Sequence, residues 1–399
     1  MNKDATLETS SNLPNSSDVV IIGGGIIGCS TLYHLIQKGV KNPVLLEKDV
    51  VGSGSTGRSM SLARMHYSNE VTTKMALESL NWFKNFEEIV GHPSGFIESG
   101  YMAIVGVKDA RAMEENVAMH KSVGVNVNLV SQAQAQEIAP MLDFLETGRI
   151  CYEPESGYAD AYAVATGFGR RAVEMGARIC TSTEVQSIIV DKGKIRGVRT
   201  NKGTIASDTV LIATGPWSQK FFQTFGVDIP LQPVRHQVIL IRRPIGLIPS
   251  HPAVADIMSG LSFRPDGSNL TAIGVGEEDT DLDTYKQGHD MDVVADSFEK
   301  LVKRMPAMEN GFYQGGWVGL FTCTPDWHPI LDKVPGVDGL FCSVGFSGHG
   351  FKLSPMVGLC MSEMILDGRA TSINIDQLNM DRFKTGNLLT SRYGLKVLA

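Results

Sequence analysis

The sequence predicts a mixed α/β fold in which a domain with a parallel sheet is interleaved with a second domain built on an antiparallel sheet. Near the N-terminus, a short β-branched run, a glycine-rich turn, a helical pattern and a second apolar run follow one another. Another apolar run, DTVLIATG, appears at 208–215. Longer stretches, such as QPVRHQVILIRRP at 232–244, have the pattern of strands in a different sheet. Strands alternating with helices favour a parallel sheet, whereas consecutive strands favour an antiparallel one.

The composition is that of a globular protein large enough for more than one domain. The 399 residues are 43% hydrophobic and carry a formal net charge of −7. An acidic chain does not favour nucleic acid as a partner, because phosphate binding needs a basic face. There is no apolar run of roughly 18 residues for a membrane span, and the polar stretch 1–17 lacks the apolar core of a signal peptide. We therefore expect a cytoplasmic protein with a flexible tail over 1–17.

The cysteines give no sign of a metal site. None of the six lies in a C-x-x-C pair, so their spacing predicts neither a zinc knuckle nor an iron–sulfur cluster. Their wide separation is consistent with reduced thiols in the cytoplasm.

The first βαβ unit carries a dinucleotide fingerprint and is Rossmann-like. Residues 18–22 predict a buried strand, 26–38 predict a helix, and PVLLE predicts the next strand. Gly23, Gly25 and Gly28 match G-x-G-x-x-G. In that motif, the first glycine allows a tight turn, the second a close approach to pyrophosphate, and the third close packing of helix on strand. The helix N-terminus favours phosphate.

The dinucleotide could be FAD or NAD from this unit alone. Glu47 follows Gly28 by 19 residues, where a carboxylate can hold the ribose hydroxyls of either cofactor. Residues 184–206 predict a meander of short strands that returns the chain to the nucleotide sheet at an ATG turn ending in Gly215. Such a meander favours FAD, although a generic β-hairpin is the alternative interpretation.

Several motifs together resemble the amino-acid oxidase superfamily of FAD enzymes. They are GGGIIG at 23–28, GSGSTGRSMSLAR at 52–64, ATGPWS at 213–218, TPDWHPILD at 324–332 and GFSGHGFK at 345–352. The superfamily includes monomeric sarcosine oxidase, glycine oxidase, D-amino acid oxidase and the β subunits of heteromeric sarcosine oxidases, and the likeness is greatest to the last. The cofactor contacts that the motifs and the resemblance imply are Gly23, Gly25, Ile26, Ile27, Gly28, Glu47, Lys48, Ser55, Thr56, Ser59, Met60, Val185, Gly215, Gly345, Gly348, Gly350 and Phe351.

The glycine-rich loop before the last apolar helix is expected to lie against the flavin ring. Gly345, Gly348 and Gly350 have no Cβ, so their backbone can approach a flat ring and adopt φ > 0. The apolar pattern predicts that the next helix starts near Ser354, with Pro355 in its first turn.

The resemblance also implies a site for a substrate carboxylate. Arg64 and Lys352 match the arginine and lysine that hold it in sarcosine-oxidase-like enzymes, and two buried cations need such an anion. Arg58 is the competitor for the arginine's role, and its alternatives are to stabilise the loop or to lie on the phosphate side of the cofactor. His349 is expected to tune the flavin, to hold a water, or only to order the loop.

Other polar residues carry weaker signals. His236 and Tyr313 are candidates to line the substrate pocket, with simple packing as the alternative for each. His328 is expected to order a turn.

Two departures from the relatives concern the flavin. Gly319 occupies the position of the cysteine that binds flavin covalently in monomeric sarcosine oxidase, and Cys323 lies four residues later. We therefore expect FAD to be bound non-covalently. The stretch GYADAYAVATGFG lacks the histidine associated with FMN in heterotetrameric relatives, so FMN is not predicted.

These observations predict the organisation and three possible functions. The FAD-binding domain takes 18–84, 147–224 and 325–399, and the substrate domain takes 85–146 and 225–324. The implied reaction is oxidation of the C–N bond of a small secondary or N-methyl amino acid, such as sarcosine, dimethylglycine, proline or glycine. The chain could be an oxidase, a dehydrogenase that passes electrons to a partner subunit or quinone, or a non-catalytic FAD-binding assembly subunit. FRPDGSNLTAIGVGEED has no lysine for oxygen activation, which favours the dehydrogenase.

Overall fold

The computed structural model describes residues 7, 9–10 and 12–394. The strands are β1 (Val19–Ile22), β2 (Pro43–Leu46), β3 (Leu62–Ala63), β4 (Tyr101–Val105), β5 (Asn128–Val130), β6 (Arg149–Glu153), β7 (Gly157–Tyr158), β8 (Arg178–Cys180), β9 (Val185–Asp191), β10 (Lys194–Thr200), β11 (Gly203–Ala206), β12 (Val210–Ile212), β13 (Gln232–Arg242), β14 (Ala253–Asp256), β15 (Leu261–Asp266), β16 (Leu270–Asp279), β17 (Phe312–Cys323), β18 (Ile330–Lys333) and β19 (Leu340–Val344). The α-helices are α1 (Ile26–Gln37), α2 (Glu70–Lys84), α3 (Phe86–Val90), α4 (Ala110–Ser122), α5 (Gln132–Ile138), α6 (Ala161–Glu174), α7 (Gln219–Gln223), α8 (Met291–Arg304), α9 (Gly350–Asp367) and α10 (Arg382–Thr385).

The nucleotide-type domain is built on a six-stranded sheet in the order β18-β19-β12-β1-β2-β8. Its pairings are parallel except that between β18 and β19. Alternate residues of β1 enter different cores: Ile21 packs in the cluster with α1, α6 and α9, whereas Ile22 packs in the cluster with the β9–β11 meander. The strand is therefore buried on both faces, as its unbroken apolar sequence predicts.

The second domain is built on an eight-stranded sheet in the order β17-β13-β16-β15-β14-β4-β6-β5. The pairings are antiparallel except that between β14 and β4. Two distant chain segments, β4–β6 and β13–β17, supply its strands, which confirms the predicted interleaved fold. Strand β6 pairs with β4 and β5, although the sequence range 147–224 assigns it to the other domain.

Helix α9 starts earlier than predicted. It begins at Gly350 rather than near Ser354, so Pro355 lies inside the helix and not in its first turn. A proline there leaves the carbonyl four residues earlier without its helical donor. The Ser354 hydroxyl donates to that carbonyl, on Phe351, at 2.8 Å. No helix among the described residues is long and apolar enough to cross a membrane.

The N-terminal segment is attached to the body of the protein where it is described. The Ser10 amide donates to the Ile179 carbonyl at 2.9 Å, and the Ser17 amide donates to the Ala206 carbonyl at 2.9 Å. Residues 1–6, 8 and 11 of the predicted flexible tail lie outside the described residues.

Candidate active site

A cavity of about 910 Å³ lies between the two domains. The carboxyl ends of β1, β2, β12 and β19 form one side, and residues of strands β13–β17 form the other. In open α/β sheets, ligands bind at this end of the strands. The volume is at the upper end of the range of ~300–1,000 Å³ for ligand sites, as a large cofactor beside a small substrate requires.

The fingerprint glycines keep the backbone of the β1–α1 turn close to its neighbours. Gly23 has φ +113, and a Cβ there would lie 2.4 Å from the Ala213 carbonyl oxygen. A Cβ on Gly28 would lie 2.0 Å from the Gly23 carbonyl oxygen, so helix and strand touch at this residue. Gly25 precedes α1 and lines the cavity, which leaves the helix N-terminus facing the space for a ligand.

Glu47 closes this turn and also lines the cavity. Its Oε2 accepts from the Gly24 amide at 2.7 Å, and its Oε1 accepts from the Asp49 amide at 2.8 Å. The next residue, Lys48, places Nζ 3.8 Å from the centroid of the Trp217 ring. This carboxylate, held rigidly at the end of β2, is suited to accept hydrogen bonds from ribose hydroxyls.

The loop at 52–64 forms hydrogen bonds to both domains. Thr56 Oγ1 accepts from the Ile26 amide at 3.0 Å, and the Ser55 hydroxyl donates to the Leu320 carbonyl at 2.7 Å. Arg58 donates through Nη1 to the Ser53 carbonyl at 2.6 Å. Its guanidinium therefore stabilises its own loop, which is one of the alternative functions that the sequence left open for this residue.

The glycine-rich loop follows β19 and also lines the cavity. Gly345 has φ +71 and Gly348 has φ +84, and a Cβ on Gly348 would lie 2.9 Å from the Phe321 ring. Gly350 does not have positive φ, because it begins α9. Without Cβ atoms at these positions, the backbone can approach a bound ring system closely.

Of the predicted cofactor contacts, only Gly28 is not at the cavity surface, in keeping with its predicted packing role. Those that line the cavity are Gly23, Gly25, Ile26, Ile27, Glu47, Lys48, Ser55, Thr56, Ser59, Met60, Val185, Gly215, Gly345, Gly348, Gly350 and Phe351.

Arg64 and Lys352 both line the same cavity and are only 4% and 7% exposed. The Arg64 guanidinium lies 4.8 Å from the centroid of the Tyr67 ring and donates to the His66 carbonyl. Lys352 Nζ donates to the Gly348 carbonyl at 3.3 Å. Burial, and then the charge of Arg64, lower the pKa of Lys352 well below its ordinary value. A bound anion would oppose both effects, so the pair is suited to a carboxylate.

His349 does not line the cavity, although its backbone lies at the start of α9. Its Nδ1 lies 3.2 Å from the Tyr67 hydroxyl, and burial, then Lys352 and Arg64, lower its pKa well below the ordinary value. The side chain is thus a neutral support behind the two cations. His328 likewise orders its turn, with Nδ1 2.7 Å from the Asp326 carbonyl oxygen.

Of the two weaker candidates for the substrate pocket, His236 lines the cavity and Tyr313 does not. His236 lines the cavity, stacks on Phe321 with ring centroids 4.4 Å apart, and has its pKa lowered to about 4 by burial. Tyr313 is on the surface, 41% exposed, with its hydroxyl 2.7 Å from His289 Nδ1. Sequence reasoning missed Tyr101, which is 1% exposed and lines the cavity. The one sequence signal that could have found Tyr101 is its position after Gly100, at the start of an apolar strand.

The cavity has no cysteine in its described lining. Cys323 is buried elsewhere. Gly319 does line the cavity, and a Cβ there would lie 3.0 Å from the Arg58 Cβ.

The fold and this site define a flavoprotein of the oxidoreductase class. The family model described as "FAD dependent oxidoreductase" (DAO) matches residues 18–364. The chain therefore belongs to the DAO family of FAD-dependent oxidoreductases. The turn glycines, Glu47 and the glycine-rich loop fit FAD.

Several characterised proteins are similar to this chain. Mitochondrial sarcosine dehydrogenase of Mus musculus is 28% identical over 371 residues, which are 90% of this chain but 40% of that protein. The β subunit of sarcosine oxidase from Arthrobacter is 27% identical over 388 residues, covering 94% and 93% of the two chains. The crystal structure of L-proline dehydrogenase from P. horikoshii has a TM-score of 0.88 at 28% identity and covers 94% of this chain and 100% of its own. Glycine oxidase from Geobacillus kaustophilus, at 22% identity and a TM-score of 0.81 over 92% of this chain and 99% of its own, shows the shared fold.

Proposed function

We propose that this enzyme oxidises the C–N bond of a small secondary or N-methyl amino acid to an imine. The observation that carries the proposal is the pair of buried basic side chains, Arg64 and Lys352, at the cavity beside the glycine-rich loop. FAD supplies the acceptor for the hydride equivalent. The chain's own contribution is to bind, orient and desolvate the substrate.

Arg64 and Lys352 hold the substrate carboxylate. Arg64 offers a planar fork that suits a carboxylate, while Lys352 offers a compact charge. Because burial and Arg64 favour neutral Lys352, arrival of the carboxylate favours proton uptake at its Nζ. A substrate amine that must lose a proton before oxidation is one source of that proton.

The cavity favours a compact substrate. Strand β16 lies close above the 52–64 loop: a Cβ on Gly274 would lie 2.3 Å from Met60 Sδ and 3.0 Å from His236 Nε2. Sarcosine, dimethylglycine, proline and glycine fit this class. Proline and sarcosine stand first because similar proteins are named dehydrogenases for them.

The electron acceptor is proposed to be a partner subunit or a quinone rather than oxygen. The cavity-lining lysines in the described part of the chain are Lys48, Lys220 and Lys352, and none comes from the antiparallel sheet. A non-catalytic assembly subunit would be supported by exposed and separated Arg64 and Lys352 side chains, whereas both are buried and the charge of Arg64 acts on Lys352. A self-sufficient oxidase is the second candidate.

Two further features complete the proposal. We propose that FAD is bound non-covalently; the described lining of the cavity contains no cysteine, the residue that holds the flavin in monomeric sarcosine oxidase. A reducing compartment such as the cytoplasm suits six free thiols.

The test is anaerobic titration of the purified holoenzyme with each amino acid, with the flavin absorbance as the signal. Bleaching by proline or sarcosine, reversed quickly by a quinone and slowly by air, is expected. Lys352→Met should weaken bleaching, and Lys333→Met, at an exposed position on β18, is the matched control. Bleaching by none of the amino acids, with FAD present, would rule out the proposed reaction.

A further inference from the structure

A second polar cluster is buried behind Arg64 and has no part in the proposed reaction. His66 follows β3, His120 lies on α4, and Cys151 and Glu153 lie on β6. All four side chains are 0% exposed. One ligand-type atom from each of His66, His120 and Glu153 lies within 4.8 Å of the other two.

The cluster brings several donor atoms to one place. His66 Nδ1 lies 3.5 Å from Cys151 Sγ and 3.9 Å from Glu153 Oε1. Atoms bound to one tetrahedral zinc ion, with bonds of ~2.0–2.3 Å, lie roughly 3.3–3.6 Å apart. The two separations from His66 Nδ1 are within a few tenths of an ångström of this spacing, whereas the 4.8 Å spread of the His66, His120 and Glu153 atoms requires side-chain movements of about 1 Å on binding.

The hydrogen bonds of these residues leave specific atoms unsatisfied. His120 Nε2 lies 2.7 Å from the Tyr67 carbonyl oxygen, so it carries the proton and leaves Nδ1 as an acceptor. His66 Nε2 lies 2.7 Å from the Tyr393 hydroxyl. His120 Nδ1 has no hydrogen-bond partner among the described residues. Metal-binding histidines are commonly held in this way, with one ring nitrogen fixed by a protein partner.

Glu153 shows the same division between its two oxygens. Oε2 accepts from the Met65 amide at 3.0 Å and from the Ser156 hydroxyl at 2.7 Å. Oε1 is fully buried and, within the described ranges, has no hydrogen-bond partner. A buried acceptor without a donor costs ~1–3 kcal/mol. A cation would satisfy several such acceptors at once.

We propose that His66, His120, Glu153 and Cys151 bind a structural zinc ion. Two imidazoles, a thiolate and a carboxylate form a closed set of four ligands of the kinds zinc prefers, whereas calcium and magnesium require oxygen ligands. Loss of the Cys151 proton on binding gives two anionic ligands for a divalent ion. The neutral site that results adds no net charge beside Arg64.

The ion would connect the segment after β3 to α4 and β6. Arg64 lies two residues before His66 and donates to the His66 carbonyl. The zinc site would therefore position the arginine that the proposed function assigns to the substrate carboxylate. The ligands come from three distant segments, which explains why the cysteine spacing predicted no metal site.

The experiment measures zinc in the purified holoenzyme. The protein is loaded with zinc, passed through a chelating column, and its metal content is measured by mass spectrometry. About one tightly held zinc ion per chain is expected, with one sulfur and three nitrogen or oxygen ligands by X-ray absorption at the zinc edge. Zinc below roughly one-tenth of an ion per chain in the wild-type protein would overturn the proposal.

Variants test the ligands. Cys151→Ser and Glu153→Gln should each lower the retained zinc at least ~10-fold, whereas Cys342→Ser, at an equally buried thiol of β19, should retain it. Zinc retained in the double variant Cys151→Ser/Glu153→Gln would also overturn the proposal. The wild-type measurement is decisive if a variant fails to fold. Both readouts are independent of substrate oxidation, so they distinguish failure of the site from failure of the proposed function.

Discussion

Replacement of Lys352 by methionine should separate substrate affinity from fold stability. The change keeps an unbranched side chain of similar length and removes a cation that is 7% exposed. A charge pair at ~4 Å with an effective dielectric constant of ~20 interacts by ~4 kcal/mol. Part of this gain is offset by the cost of charging Lys352, because burial and the charge of Arg64 lower its pKa. We therefore expect a net loss of ~2 kcal/mol, or a roughly 30-fold rise in Kd.

The same substitution should not weaken the fold. The folded pKa of Lys352 lies below the ordinary value of 10.5, so the unfolded chain binds more protons between these two pKa values. Stability contributed by this group therefore rises with pH through that window, and the charged lysine is unfavourable at lower pH. In Lys352→Met this part of the pH dependence should disappear, and the melting temperature at neutral pH should stay equal or rise.

The assay is flavin-absorbance titration with the bleaching substrate, together with thermal unfolding across pH. Lys333→Met provides the comparison for a lysine lost from the surface. An unchanged Kd in Lys352→Met would refute the anchoring role. A loss of ~2 kcal/mol in the free energy of unfolding of Lys352→Met, similar to its loss in binding free energy, would show that the lysine supports the fold instead.

Three further outcomes are expected. Binding of acetate, a carboxylate without an amine, should take up protons from the buffer, seen as a calorimetric heat that varies with the ionisation enthalpy of the buffer and is lost in Lys352→Met; a buffer-independent heat would contradict this. Gly348 has φ +84, and the Cβ of Gly348→Ala would lie 2.9 Å from an aromatic ring, so this change should lower the free energy of unfolding by ~1–3 kcal/mol and lower the flavin content. Gly288→Ala, with open space around the new Cβ, should change neither quantity. Equal effects of the two changes would refute the argument. Arg382→Ala breaks an arginine–carboxylate ion pair in which both side chains are 1% exposed, and it should lower the free energy of chemical unfolding by ~3–5 kcal/mol. Lys384→Ala breaks an exposed ion pair and should lower it by at most ~1 kcal/mol. Similar small losses for both variants would contradict the cost assigned to burial.

The features that the sequence predicted well depend on short stretches of chain. The β1–α1–β2 unit follows from alternating apolar runs and from glycines whose spacing is local. The start of α9 was misplaced because Pro355 lies inside the helix, where the Ser354 hydroxyl donates to the Phe351 carbonyl that the proline leaves without its helical donor. The spacing of apolar residues, from which the helix start was predicted, does not reveal a side-chain hydrogen bond of this kind.

The candidate site shows a similar division. Motif spacing suggested both Arg58 and Arg64, but only the folded loop shows that Arg58 donates to its own backbone. Tyr101 was missed because a tyrosine in an apolar strand reads as core. The sequence left three functions open for His349, and its contact with Tyr67 outside the cavity lining favours the one in which it orders the loop.

The sequence by itself determined the fold class, the dinucleotide fingerprint and the residue types of the proposed carboxylate site. These depend on periodicity and on motifs within a few residues of one another. Only the tertiary structure decided which side chains are buried together, because burial and charge proximity arise between segments far apart in the chain. The lowered pKa of Lys352 beside Arg64 and the cluster of His66, His120, Cys151 and Glu153 are both results of that packing.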